Sequence, residues 1–237
     1  MQLHTLTTSL LLLLTSDAAP VTAHPSPVSK LPTQGPELNL KLVRQASQTS
    51  KYCAPQSSIC YLQYATTSAS YPVFRIAVPD VTSAPFETIL QIVSPVSLGW
   101  VGFSWGGGMT SNPLTVVWPN GNTGKATVSS RWANGRTLPS TYSSASYKTL
   151  SSSKNSTHWT IEVVCTGCSK WTGGQLSVNG NTINTFAWAY SKTAVPQPAN
   201  PSSSFSMHNN VGMFSDNLSA AKVPQATFQE YVKKAGL

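Results

Sequence analysis

Apolar and polar residues alternate with a period of two over 73–78, 89–93, 100–105, 114–118, 126–132, 159–165 and 185–190. Successive side chains of an extended strand point to opposite faces, so this alternation predicts strands with one buried face. Turn-forming pairs separate them: Pro79-Asp80, Asn120-Gly121, Asn134-Gly135, Gly173-Gly174 and Asn179-Gly180. Many short strands with regular turns predict an all-β, antiparallel sandwich of immunoglobulin-like type. A helical pattern is confined to 226–235, where Phe228, Tyr231 and Val232 fall on one face before Gly236.

The first 23 residues read differently. Their first charge is Asp17, and Leu10–Leu14 is an apolar run followed by small residues. This predicts a signal peptide, cleaved after Ala23 or Ala18, in a run too short to cross a membrane. Residues 24–51 are rich in Pro, Ser and Gln and predict a flexible lead-in. Residues 52–237 then form one domain large enough to bury a core. No second long apolar run follows, so the mature protein is expected to be extracellular, with no membrane partner.

Composition supports that setting. Charged residues make up only 9% of the chain, and the formal charge is +8. The basic side chains are scattered rather than clustered, which argues for solubility and a monomer, not for nucleic-acid binding. The four cysteines form two sequence-local pairs, Cys53 with Cys60 and Cys165 with Cys168. In a secreted chain local disulfides are favoured; a four-cysteine zinc site is the weaker alternative, because the first spacing is too wide. Asn155 and Asn217 begin N-glycosylation sequons.

The stretch Gly102-Phe103-Ser104-Trp105-Gly106-Gly107-Gly108-Met109 has two readings. Its first five residues fit G-x-S-x-G, and Ser104, Glu162 and His208 follow the chain order of a hydrolase triad. That elbow needs a strand-to-helix turn above a parallel sheet, which this chain does not predict. The second reading treats the glycines as thinned backbone ahead of the Met109 thioether.

The second reading gains from its company. Gly106-Gly107-Gly108-Met109 with Asn112, then Asn155-Ser156-Thr157-His158-Trp159, Cys165-Thr166-Gly167-Cys168, Phe186-Ala187-Trp188-Ala189-Tyr190 and Phe205-Ser206-Met207-His208 occur in that order. This ordered set resembles the cytochrome domain of cellobiose dehydrogenase, an iron-reductase type of haem b domain among the DOMON-like sandwiches. The resemblance covers 52–237 and implies that Met109 and His208 are the axial ligands of one haem iron. Thioether and imidazole fill both axial positions, which favours electron transfer over oxygen chemistry. Met207 and Met213 are competing thioethers, and Arg131 and Arg136 are candidate partners for the haem propionates. His158 is expected to be structural. The Trp188-Ala189-Tyr190 stretch is expected to lie in the core.

The resemblance also implies partners: a separate flavin-dependent sugar dehydrogenase or small reductant as donor, and a copper polysaccharide monooxygenase, a quinone or ferric iron as acceptor. No G-x-G-x-x-G fingerprint occurs, so no dehydrogenase domain is expected within the chain. The alternatives are a carbohydrate-binding sandwich displaying Trp and Tyr, the Ser104 hydrolase, and a copper site built on His24 at a mature N-terminus.

Overall fold

In a computed structural model the described residues are 48–234, apart from 56 and 122. The signal peptide, the His24 copper site and the lead-in up to residue 47 lie outside them. Along the chain run β1 (Thr49–Cys53), β2 (Cys60–Tyr64), β3 (Val73–Pro79), β4 (Thr88–Pro95), β5 (Trp100–Ser104), β6 (Leu114–Pro119), β7 (Ala126–Trp132), β8 (Ser140–Thr141), β9 (Ser146–Lys154) and β10 (His158–Thr166). There follow β11 (Lys170–Trp171), β12 (Gly174–Gln175), β13 (Asn184–Ser191), β14 (Asn210–Asp216), β15 (Lys222–Val223) and a helix, α1 (Gln225–Lys234). All seven expected strands are present, and the expected helix closes the described chain.

The first sheet has the order β1-β2-β3-β4-β10-β9, with β15 alongside β3. The second has the order β14-β13-β5-β6-β7-β8. All strand pairs within the two sheets are antiparallel except β15 with β3. Between the sheets, Phe74, Ile76, Leu90, Ile92, Ile161 and Val163 from the first meet Val101, Phe103, Val117, Phe186, Trp188 and Phe214 from the second. These are alternate residues of their strands, as period-two side chains packed into one core must be. Trp188 and Tyr190 belong to this core. β1 takes in residues 49–51, the end of the expected lead-in.

Strands without alternation occupy exposed or doubly covered places. Ser-rich β9 is an edge strand with no buried residue. β14, at an edge of the second sheet, buries only Phe214. β2 buries Leu62 and Tyr64 on one face and Tyr61 beside Gln63 on the other, so its short run has no wholly polar face to mark its period.

Both cysteine pairs are disulfides: Cys53–Cys60 ties the ends of the β1–β2 hairpin, and Cys165–Cys168 closes the turn after β10. The zinc alternative is thereby overturned. Asn155 lies exposed in the β9–β10 turn, where its Oδ1 accepts from the backbone N–H of Thr157 and His158. Asn217 is more engaged: its Nδ2 donates to the carbonyl of Gly180, and its Oδ1 caps the short 3-10 turn that follows.

The outer face of the first sheet is closed by α1. Phe228 of the helix packs with Ile59, Tyr61, Ala77, Ile89, Val164 and Val223. Glu162, 2% exposed, anchors this layer: it accepts from the hydroxyls of Tyr61 and of Tyr231, the latter on α1 at 2.8 Å. Burial, and after it the neighbouring Glu162 charge, pushes both phenols above their ordinary range, so each stays a proton donor. Glu162→Ala removes the acceptor shared by the Tyr61, Tyr231 and Ser151 hydroxyls and is expected to cost about 2–4 kcal/mol. A urea-unfolding series measures this; a loss below about 0.5 kcal/mol would show that the helix is held by its apolar face alone.

Candidate functional site

A solvated outer face of an antiparallel sheet is normally polar. The second sheet departs from this. Trp100 of β5 and Leu114, Val116 and Trp118 of β6 point outward yet are buried, forming with Ala133 and Val195 a second apolar cluster. Two loops supply the cover. Met109, from the loop 105–113 between β5 and β6, and Phe205, from the loop 192–209 between β13 and β14, pack against this cluster.

The Met109 loop is held from within. The Ser104 hydroxyl donates to the Gly108 carbonyl at 2.5 Å, and Asn112 Nδ2 donates to the carbonyls of Gly108 (3.2 Å) and Thr110 (2.9 Å). The Ser111 N–H reaches the Ala133 carbonyl at 2.9 Å, which ties the loop to the end of β7. Two of the three glycines answer to this packing rather than to a ligand. A Cβ on Gly106 would collide with the Asn112 carboxamide; one on Gly107, whose φ is +78°, would lie 2.7 Å from Thr185. At Gly108 a Cβ would meet only Asn112, at 3.6 Å.

The other loop enters at the opposite end of the strands, where Trp100 pairs with Ser191, whereas the Met109 loop leaves where Ser104 pairs with Ala187. Ser206 and Asn209 pin it on either side of Met207 and His208. Trp100 Nε1 donates to Ser206 Oγ at 3.4 Å; Ser191 Oγ lies 3.0 Å from Ser206 Oγ and donates to Asn209 Oδ1 at 3.1 Å. His208 itself is exposed, and among the described residues its imidazole has no hydrogen-bond partner. His158 is different: it sits on β10 of the first sheet, with Nδ1 3.0 Å from Thr157 Oγ1.

Between the two loops runs an apolar strip four residue steps long, about 13 Å along β5. Its floor is of small residues, Gly102, Ala187 and Ala189, and β14 adds Val211 and Met213 beside the two alanines. Met207 is 83% and Met213 61% exposed, against half-buried Met109. The structure therefore brings Met109, Met207, Met213 and His208 to one face. The apolar, small-floored strip, with a loop carrying a thioether at one end and a loop carrying an imidazole at the other, offers a surface and donor types of the kind a haem takes.

Arg131, a candidate propionate partner, is instead buried at 3% exposure, with its N–H groups taken by Ser129 and three backbone carbonyls. Arg136 is exposed. The hydrolase alternative fails on geometry. The Ser104 hydroxyl is spent on its own loop, and Glu162 lies under α1 on the first sheet. The carbohydrate alternative lacks its platform: five of the seven tryptophans are buried and the other two, Trp132 and Trp171, are half-buried.

A two-sheet sandwich with this covered second face has the architecture of a β-sandwich cytochrome domain. Residues 52–230 match the family model for the cytochrome domain of cellobiose dehydrogenase, and the chain belongs to that family. It is similar to the cytochrome domain of Myriococcum thermophilum cellobiose dehydrogenase, with TM-score 0.71 and 25% identity, covering 80% of this chain and 97% of the other. It is also similar to the cytochrome b domain of pyranose dehydrogenase from Coprinopsis cinerea, with TM-score 0.68 and 26% identity, covering 79% and 95%. A pyrroloquinoline quinone-dependent pyranose dehydrogenase of Coprinopsis cinerea is 36% identical over 141 residues, 59% of this chain but only 19% of that protein. Membership implies haem electron transfer, since the family typically binds haem b.

The glycine geometry makes a paired prediction. Gly107→Ala, forced into left-handed backbone against Thr185, is expected to cost about 1–3 kcal/mol, and Gly108→Ala less than about 1 kcal/mol. Thermal unfolding of the two variants checks the order; equal costs would mean that the loop rearranges freely.

Proposed function

We propose that this chain is a secreted electron-transfer protein that holds one haem b between Met109 and His208. The carrying observation is the covered outer face of the second sheet, bounded at one end by Met109 and at the other by His208. Bound there, haem would supply a one-electron ferric–ferrous couple, with Met109 and His208 as the residues that would hold its iron. The chain's own groups do the rest. Ser104 and Asn112 fix the backbone that carries the thioether. Ser206 and Asn209 fix the backbone that carries the imidazole. Trp100, Val116, Trp118 and Phe205 form an apolar cluster beside the strip, and apolar surroundings would favour the less charged, ferrous state.

The donor is a flavin- or quinone-dependent sugar dehydrogenase, a reading supported by the kinship with a pyranose dehydrogenase domain. The acceptors are a copper polysaccharide monooxygenase, a quinone or ferric iron. An extracellular setting is supported by the apolar leader, the two disulfides and the sequons at Asn155 and Asn217. Among the described residues no helix is long and apolar enough to cross a membrane.

The test is the reduced-minus-oxidised visible spectrum with a redox titration. His208→Ala is expected to lose at least about 100-fold in haem affinity, since removing a ligand exceeds the effect of removing its hydrogen-bond partner. Met109→Ala is expected to keep haem, show a lower potential and admit carbon monoxide. Undiminished haem in His208→Ala would overturn the assignment. An unchanged spectrum and potential in Met109→Ala would transfer the sulfur ligand to Met207 or Met213.

A further inference from the structure

We infer that Arg131 is a positioning residue for His208, clamping the loop that carries this histidine to the sheet through the loop's own carbonyls. The inference rests on the haem reading above only for its consequence at the iron. Its origin is the outer face of β7, where alternate residues Thr127, Ser129 and Arg131 all point at the 192–209 loop and are all buried.

Their contacts form a ladder. Thr127 Oγ1 donates to the Pro198 carbonyl at 2.6 Å, joined there by Trp118 Nε1 at 2.9 Å. Ser129 Oγ donates to the Pro201 carbonyl at 2.5 Å. Arg131 Nη2 donates to the carbonyls of Pro201 (2.9 Å) and Ser203 (2.6 Å), Nη1 to Pro139 (3.1 Å) and Nε to Ser129 Oγ (2.6 Å). The guanidinium carbon lies 5.2 Å from the centroid of the Phe205 ring. That ring packs against Trp100 at 5.0 Å, and the next residue, Ser206, is held by Trp100 Nε1. The clamp thus ends two residues before His208.

The chemistry explains the residue type. Pro196, Pro198 and Pro201 remove three N–H donors from the loop, so the sheet must supply partners for its carbonyls. A planar guanidinium with five donors can serve carbonyls from two separate segments; an ammonium has three donors on a flexible stem. Burial holds the Arg131 guanidinium below its usual range, and among the described residues no carboxylate pairs with it. The carbonyl dipoles are therefore what keeps this charge buried, and moving the loop away would strand it. With four of its five N–H groups committed, it is not a free hand for a haem propionate.

The test compares wild type, Arg131→Met and Arg131→Lys as full chains, both without haem and reconstituted. In the haem-free proteins, hydrogen exchange of peptides covering 196–206 is expected to speed up by about tenfold or more in Arg131→Met and by less in Arg131→Lys, with β3, β4 and β10 unchanged. After reconstitution, Arg131→Met is expected to bind haem about tenfold or more weakly, with an altered axial-ligand signature in its paramagnetic resonance spectrum. Unchanged exchange across 196–206 in Arg131→Met would overturn the proposal, as would normal ligation despite a loosened loop. If Arg131→Met does not fold, Arg131→Lys, which keeps the charge, carries both readouts, and wild-type exchange and ligation there would overturn it equally. The haem reading fails separately, through a wild type that takes up no haem, and the exchange comparison still decides whether Arg131 holds the loop.

Discussion

The second sheet carries large apolar side chains on both of its faces, and neither can be left against water. Every residue from Leu114 to Trp118 is buried: Val117 faces the sandwich core, while Leu114, Val116 and Trp118 face outward. A fully buried Leu, Val or Trp side chain is stabilising by roughly 1.5–3 kcal/mol or more, so covering the outer set is worth several such contributions. Two long loops provide that cover, and they carry Met109 and His208. The site is therefore a consequence of a sheet that needs a second core.

The two sheets solve the same problem in parallel ways. Each has an outer apolar face closed by a separate element, and each holds that element with one buried charge. On the first sheet Glu162 accepts from Tyr231 of α1. On the second, Arg131 donates to the carbonyls of Pro201 and Ser203. Apolar contact alone is non-directional and tolerates sliding; a charge that must find its partners does not. That difference matters more on the second sheet, where a shift of the covering loop would carry His208 with it.

Strands were legible in the sequence where apolar residues recur along a run of five or more, including β6, which is buried on both faces. β7 and β13 alternate along most of their length, and the chain announces them. β9 and β14 were not legible, because edge strands that bury almost nothing leave no apolar trace. β2 was hidden because its five residues put Tyr61, Leu62 and Tyr64 side by side with little alternation to read. Met109 and His208 stood out only through the ordered company of motifs around them, since a lone Met after glycines is a common packing residue. Arg131 was visible as a basic residue in a strand, but nothing in its neighbours told a propionate partner from a loop clamp.

The sequence by itself determined the period of the strands, the all-β class and the close spacing within each of the two cysteine pairs. These are short-range facts, written in spacing. Only the tertiary structure decided that three methionines and His208 share one face while His158 lies on the other sheet. It also decided that Gly106 and Gly107 make room for Asn112 and Thr185, and that Ser104 serves its own loop. Each of these depends on which distant segment a strand register brings alongside. A register is selected by the burial of a whole face at once, so no local stretch of sequence contains it.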